Sequence, residues 1–250
     1  MMRLVQRTRR LLAIAWNMTF PKFEPRDPAA AEAERAAQSL WHDRFGPLDV
    51  MVEDADVLEL GCGDGRMLAH LLASHPERAR SGVGIEPQPG WIGPDGEIRW
   101  PEEERTGRLE LHTDLVYLQA LDLASFDLIL ARDLESVFPL DGLEEGLSRI
   151  YDLLRPGGEA LLHVGCASPQ GGAAGYGFLT PTSWIILAMR FGFEVGAVRR
   201  VWRDNDALAA AKATLPYASD EERMTAEMTL RLIRPWESWE LDKVWHANPE

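Results

Sequence analysis

The chain has 250 residues, 46% of them apolar and 26% charged, with a formal net charge of −14 and a pI near 4.9. That length suits one α/β domain with an appendage, and that apolar share is enough for a full core. The acidic balance argues against nucleic acid, Cys62 and Cys166 make neither a disulfide framework nor a zinc spacing, and no run approaches 18 consecutive apolar residues. A reducing cytoplasmic compartment is the expectation.

Residues 1–26 hold Arg3, Arg7, Arg9, Arg10, Lys22 and Arg26 against Glu24, a balance of 6 − 1 = +5, so the remainder carries −14 − 5 = −19. Leu11 to Trp16 is short for a signal-peptide core and lacks a small-residue cleavage site. Residues 1–20 suit a basic amphipathic segment in peripheral contact with an anionic membrane, or a helix docked on the acidic body, and both readings stay open. Pro21, Pro25 and Pro28 form a linker, and Asp27-Pro28 opens an alanine-rich helix running to about Phe45. Residues 1–50 are therefore read as a basic arm and helical cover, and residues 51–250 as the main domain.

The main domain begins with a short apolar strand, Val57-Leu58-Glu59-Leu60, that enters the turn Gly61-Cys62-Gly63-Asp64-Gly65. A helix from about Arg66 to Ser74 follows. The three glycines remove every Cβ from the bend, so a ligand can approach bare backbone, and the helix aims its first amides at the same place. Glu59 suits a cationic ligand and repels a pyrophosphate, which disfavours a plain dinucleotide site. The next strand, Gly82 to Glu86, ends on an acid placed to accept hydrogen bonds from two ribose hydroxyls.

Residues 87–107 then read as a Pro/Gly-rich hairpin around Pro94-Asp95-Gly96, flanked by Trp91 and Trp100. Leu109 to His112 is a third strand, and Asp114 is a plausible N-cap for a helix from Leu115 to Leu121. Ser125 to Ala131 is apolar enough to be buried on both faces, and Arg132-Asp133-Leu134-Glu135-Ser136-Val137 lies at its carboxyl end. An apolar stripe predicts a helix over Leu143–Leu154, stopped by Pro156-Gly157-Gly158, and a strand over Glu159–Val164 with His163 near its end. Gly165 to Gly177 is a glycine-rich loop. Thr180 should cap a helix that starts at Pro181. A sixth strand begins around Phe191–Val195 and continues to about Arg203, residues 205–223 look helical, and Met224 to Arg234 alternates as a seventh strand. Trp236, Trp239 and Trp245 belong to the tail.

Four of these stretches, LELGCGDG, GVGIEP, FDLILARDLESV and LLRPGGEALLHV, resemble the class I, Rossmann-like S-adenosylmethionine-dependent methyltransferases over roughly Asp56 to Val201. The resemblance implies a doubly wound, mostly parallel seven-stranded sheet, with the seventh strand inserted antiparallel beside the fifth. It implies S-adenosylmethionine held by Glu59, Gly61, Cys62, Gly63, Asp64, Gly65 and Glu86. It also implies that Asp114 and the Leu115 amide meet the adenine and that Arg132 reaches the methionine carboxylate or a substrate acid. Many relatives carry histidine where this chain has Ser136. Asp133 and His163 are the remaining candidates for a catalytic base, and no metal is expected.

The function so implied is methyl transfer to a small-molecule acceptor, with a sugar or polysaccharide precursor attractive because of the Phe178–Trp184 segment, the tryptophan-rich tail and the basic arm. A cofactor- or partner-binding module without turnover and a protein methyltransferase are the alternatives.

Overall fold

The computed structural model describes residues 54–63, 65–74, 78–87, 108–132, 134–138, 140–166, 179–202 and 219–236. Seven strands share one sheet: β1 (Ala55–Leu60), β2 (Ala79–Ile85), β3 (Leu109–His112), β4 (Phe126–Ala131), β5 (Leu154–Gly165), β6 (Glu194–Trp202) and β7 (Thr225–Ile233). Their order is β3-β2-β1-β4-β5-β7-β6. β7 runs antiparallel to both of its neighbours, and the other pairs are parallel. The direction of winding reverses between β1 and β4, and in such sheets a ligand crevice opens beyond the carboxyl ends at that point.

Among the described residues, the α-helices are α1 (Arg66–Ser74), α2 (Val116–Ala120), α3 (Leu134–Val137), α4 (Leu143–Leu153), α5 (Pro181–Arg190) and α6 (Asp220–Met224). Alternation along the central strands divides their side chains between two apolar layers. Val57, Leu128, Leu130 and Leu161 face Met67, Leu68, Leu71 and Leu72 of α1. Leu58, Leu60, Ile129, Leu162 and Leu230 face α4 and α5. Both faces are covered, which is why β1 and β4 read as continuous apolar runs. α4 inserts Leu143, Leu147, Ile150 and Leu153, all buried, worth at most about 6–12 kcal/mol of apolar burial together. Thr180 caps α5 as expected: its Oγ1 accepts from the Ser183 N–H at 3.2 Å, ahead of Pro181.

Two boundaries differ from the sequence reading. α4 stops at Leu153, and β5 already begins at Leu154, so Pro156-Gly157-Gly158 lies within the strand rather than ahead of it. Gly157 adopts φ +77°, its N–H donates to the Arg234 carbonyl at 2.8 Å, and the Arg234 N–H donates to the Gly158 carbonyl at 3.0 Å. The strand tolerates proline and glycine here because its register against β4 slips between Phe126 and Leu128. Trp236 packs over Gly157, where a Cβ would come within 2.5 Å of the indole. β2 starts at Ala79, three residues before Gly82. Side chains at this early end bind Asp56 of β1, through Arg80 and through the Ser81 hydroxyl at 2.6 Å.

The arm and helical cover, the hairpin of residues 87–107 with Trp91 and Trp100, most of the glycine-rich loop, and Trp239 and Trp245 lie outside the described residues. No helix among the described residues is long and apolar enough to cross a membrane.

Candidate active site

The turn after β1 is built by three glycines in the left-handed region, Gly61 at φ +73°, Gly63 at +61° and Gly65 at +72°. L-residues with a side chain pay for that conformation, which explains all three. Their surroundings differ. A Cβ on Gly61 would lie 2.8 Å from the Arg132 carbonyl oxygen, and one on Gly65 would lie 2.8 Å from the Leu111 side chain. These two glycines let the turn close against β4 and β3. A Cβ on Gly63 would meet, among the described residues, only the Arg132 guanidinium, at 3.4 Å. Among the described residues, the surroundings of Gly63 are the most open of the three. The Gly61 N–H donates to the Ile85 carbonyl at 2.8 Å, and the Gly65 N–H to the Cys62 carbonyl at 3.0 Å, so the turn is braced before α1 begins.

Cys62 contributes only main chain. Its side chain is buried, and a Cβ built on Gly84 would lie 2.8 Å from Sγ, so the thiol points into the core. Burial pushes the Cys62 thiol far above its ordinary pKa, with the carboxylates of Glu59 and Glu86 adding to the shift. It stays protonated and is no nucleophile.

Glu59 and Arg132 occupy the switch point together. Glu59 is fully buried, and the Arg132 Nε donates to its Oε1 at 3.1 Å while Nη2 donates to the Gly61 carbonyl at 3.1 Å. The sequence reading assigned these two side chains separately to the positive and negative ends of a ligand. The structure pairs them with each other and with the turn. Glu86 Oε2 accepts the Gly63 N–H at 3.0 Å. A carboxylate has about four acceptor sites, so this bond leaves capacity for hydroxyl donors. Asp114 is exposed, and its Oδ1 accepts the Val116 N–H at 2.8 Å at the start of α2. Leu115, beside it, is half-buried against the core. Asp64 and Asp133 lie outside the described residues.

Strand register aligns the other groups. Leu60 is level with Ile85 on one side and Ala131 on the other, and Ala131 is level with Leu162. One residue further along, Glu86, Gly61, Arg132 and His163 fall in a single row along the carboxyl edge. The row continues through Thr229 of β7 and Arg199 of β6. At a strand spacing of about 4.8 Å, the His163 backbone is about 5 Å from that of Arg132 and about 10 Å from that of Gly61. His163 is 2% exposed, and its Nε2 lies 3.3 Å from Oε2 of Glu227, a half-exposed residue of β7. Glu227 escaped the sequence reading. Alternation at Met228, Leu230 and Leu232 already put it on the opposite face, but only the antiparallel register brings it to His163.

The described charged side chains around the turn and the sequence-predicted cofactor positions are Glu59, Glu86, Asp114, Arg132 and Arg66 at the start of α1, a balance of 2 − 3 = −1. That field favours a ligand carrying positive charge and opposes a pyrophosphate. The flank of Gly63, the acid on its amide and the excess of carboxylates fit a ligand with the chemistry of S-adenosylmethionine.

A sequence-family model described as a methyltransferase domain matches residues 58–160. The chain is 30% identical over 118 residues to highly reducing polyketide synthase 2 of Gibberella zeae, a match covering 42% of this chain but only 4% of that relative's length. Among solved structures, the [4+2]-cyclase SpnF aligns with a TM-score of 0.54 at 16% identity, covering 87% of this chain and 86% of that one. The geranyl diphosphate C-methyltransferase of Streptomyces coelicolor A3(2), solved with S-adenosyl-L-homocysteine, aligns with a TM-score of 0.54 at 14% identity, covering 82% and 76%. The domain match runs from Leu58 of β1 to Ala160 of β5 and so spans the glycine turn, and the fold is that of these solved structures.

Proposed function

We propose that the protein transfers the methyl group of S-adenosylmethionine to a small-molecule acceptor. The observation that carries this reading is Glu86 bound to the Gly63 amide, at the turn glycine that the described residues crowd least. When bound, the cofactor supplies a methyl group already activated on a sulfonium. The task left to the chain is to hold the ligand, exclude water and place an acceptor in line. Glu86 and Gly63 hold the ribose side, Asp114 and the Leu115 amide the adenine side. The Arg132–Glu59 pair keeps the turn against β4. His163, in the same row, is the candidate base, with Asp133 the alternative from the sequence.

Small-molecule acceptors are named for solved relatives of this fold, among them a geranyl diphosphate C-methyltransferase. A sugar acceptor gains little from the segment that suggested it. Trp184 is buried with its indole N–H on the Gly165 carbonyl at 3.0 Å, and Thr180 is occupied as a helix cap. Ser136, standing where many relatives have histidine, favours a second reading in which cofactor is bound without turnover. Titration calorimetry with S-adenosylmethionine on wild type and Glu86→Ala tests the site, and equal affinity removes Glu86 from it. Incubation with methyl-labelled cofactor and a small-molecule cell fraction tests the activity. Tight binding with no label transferred would favour the second reading.

A further inference from the structure

We propose that the basic arm, residues 1–20, docks on its own chain and seats its apolar side in the groove between α5 and the first turn of α4. Nothing in the methyl-transfer reading enters this assignment.

Between α5 and the start of α4 opens a groove of about 490 Å³. Leu143, Leu179 and Leu187 give it an apolar lining, and Ile186, 54% exposed, stands beside them. Met189, 59% exposed and one turn on from Ile186, extends the apolar strip along α5. Apolar area left open to solvent within a concave surface is the form an interaction site takes. A cavity of about 150 Å³ holds one benzene ring, so the groove has room for about three groups of that size. Its rim is acidic. Asp141 and Glu144 line it, and Glu145 follows in the same helical turn, against Arg190, whose Nη1 donates to Glu144 at 3.5 Å, a balance of 1 − 3 = −2.

The arm complements that groove in both respects. Residues 1–20 hold Arg3, Arg7, Arg9 and Arg10 and no acid. In its sequence Leu4, Leu11 and Met18 recur at every seventh position, with Thr8 and Ala15 between them, and Arg3, Arg7 and Arg10 share an adjoining stripe at helical spacing. An apolar stripe on the lining and a basic one on the rim is the pattern of helix-in-groove recognition. Residues 21–53, a run of 53 − 20 = 33, join the arm to Asp54. Even a wholly helical run of that length reaches about 50 Å, more than the width of roughly 40 Å of a domain this size. Such a tether holds the arm at an effective concentration on the order of millimolar, so a weak contact keeps it seated. An anionic membrane would suit the same charge and the same apolar stripe, but it has to be met, whereas the groove is always within reach.

The test is oxidative cross-linking of the full-length chain. Cys62 and Cys166 are buried and stay out of the reaction. Leu11→Cys paired with Ile186→Cys should close a disulfide within one chain at least about tenfold faster than Leu11→Cys paired with Trp202→Cys, a second exposed apolar position, on β6. Ile186 and Trp202 are both 54% exposed, so cysteine at either leaves the core untouched. Adding Arg7→Glu and Arg10→Glu to the first pair should remove most of its advantage. Equal rates for the two pairs, or a disulfide between chains instead of within one, overturn the proposal. An advantage undiminished by the charge reversals also overturns it, since the acidic rim is part of what singles out this groove. Wild type should stay in solution when vesicles of phosphatidylcholine with about one-third phosphatidylglycerol are sedimented at low salt. Wild type that pellets with those vesicles puts the arm on lipid and overturns the proposal.

Discussion

Replacing Asp56 with asparagine should destabilise the fold in a way that depends on pH. Asp56 lies at the amino edge of the sheet, opposite the ligand crevice, and joins three strands. Arg80 of β2 and Arg155 of β5 both bind its carboxylate, the latter at 2.8 Å, and the Ser81 hydroxyl adds a bond at 2.6 Å. Burial by itself raises its pKa, but the bonds from Arg80, Ser81 and Arg155 outweigh burial and lower the value from 3.8 to about 2. Its side chain is 16% exposed and that of Arg80 47% exposed, so solvent screening trims the effect. A depressed acid stabilises the fold above its unfolded pKa and loses that contribution as pH falls through its folded pKa. The shift corresponds to at most about 2 kcal/mol at pH 7, about half of that at pH 3, and little below pH 2. Urea denaturation of wild type and Asp56→Asn at pH 7 and pH 3 measures the difference directly. The gap should narrow by about half between the two. A gap of equal size at both pH values would mean that asparagine disturbs packing rather than charge, and a gap under about 0.5 kcal/mol at pH 7 would refute the hub altogether. Cofactor affinity at pH 7 should not change.

Arg132→Met should cost about 3–5 kcal/mol, because it leaves the fully buried Glu59 without its cation, and Glu59→Gln added to it should recover most of the loss; a loss under about 1 kcal/mol in thermal or urea unfolding would contradict the pairing. Gly63→Ala and Gly65→Ala should separate binding from stability. The first carries only the strain of its positive φ, about 1–2 kcal/mol, and should weaken cofactor binding at least about tenfold. The second adds a clash with Leu111 and should cost about 2–5 kcal/mol. Equal effects of the two substitutions on both melting temperature and calorimetric affinity would remove the distinction drawn between them.

Local chemistry was legible in the sequence and distant pairing was not. α1 runs over Arg66–Ser74 as read, because three left-handed glycines and an apolar stripe define it within 14 residues. The α4–β5 boundary was misplaced because Pro156-Gly157-Gly158 is a stop signal by local rules. The strand is drawn back to Leu154 by Arg155, which binds Asp127 and also Asp56, the latter 99 residues away. Glu59 and Arg132 were each singled out, but their bond to each other spans 73 positions and no local rule announces it. His163 was singled out, and its carboxylate partner was not, because antiparallel register sets the pairing. The placement of β7 beside β5 came from the family resemblance, since nothing in the alternation of residues 224–234 says where that strand inserts.

The antiparallel insertion of β7 also orders events during synthesis. The cofactor half of the site, from β1 to the start of α2, is contiguous in the chain and closes through parallel pairs made early. The acceptor half is not contiguous: His163 acquires Glu227 and Thr229 only when a strand 60 or more residues later slides between β5 and β6. Loops of that span are entropically slow to close. A nascent chain therefore exposes two unsatisfied strand edges, on β5 and β6, while its glycine turn is already formed. Ribosome-bound chains halted before residue 225 should be the aggregation-prone species of this protein, and cofactor added during translation should reach a half-built site.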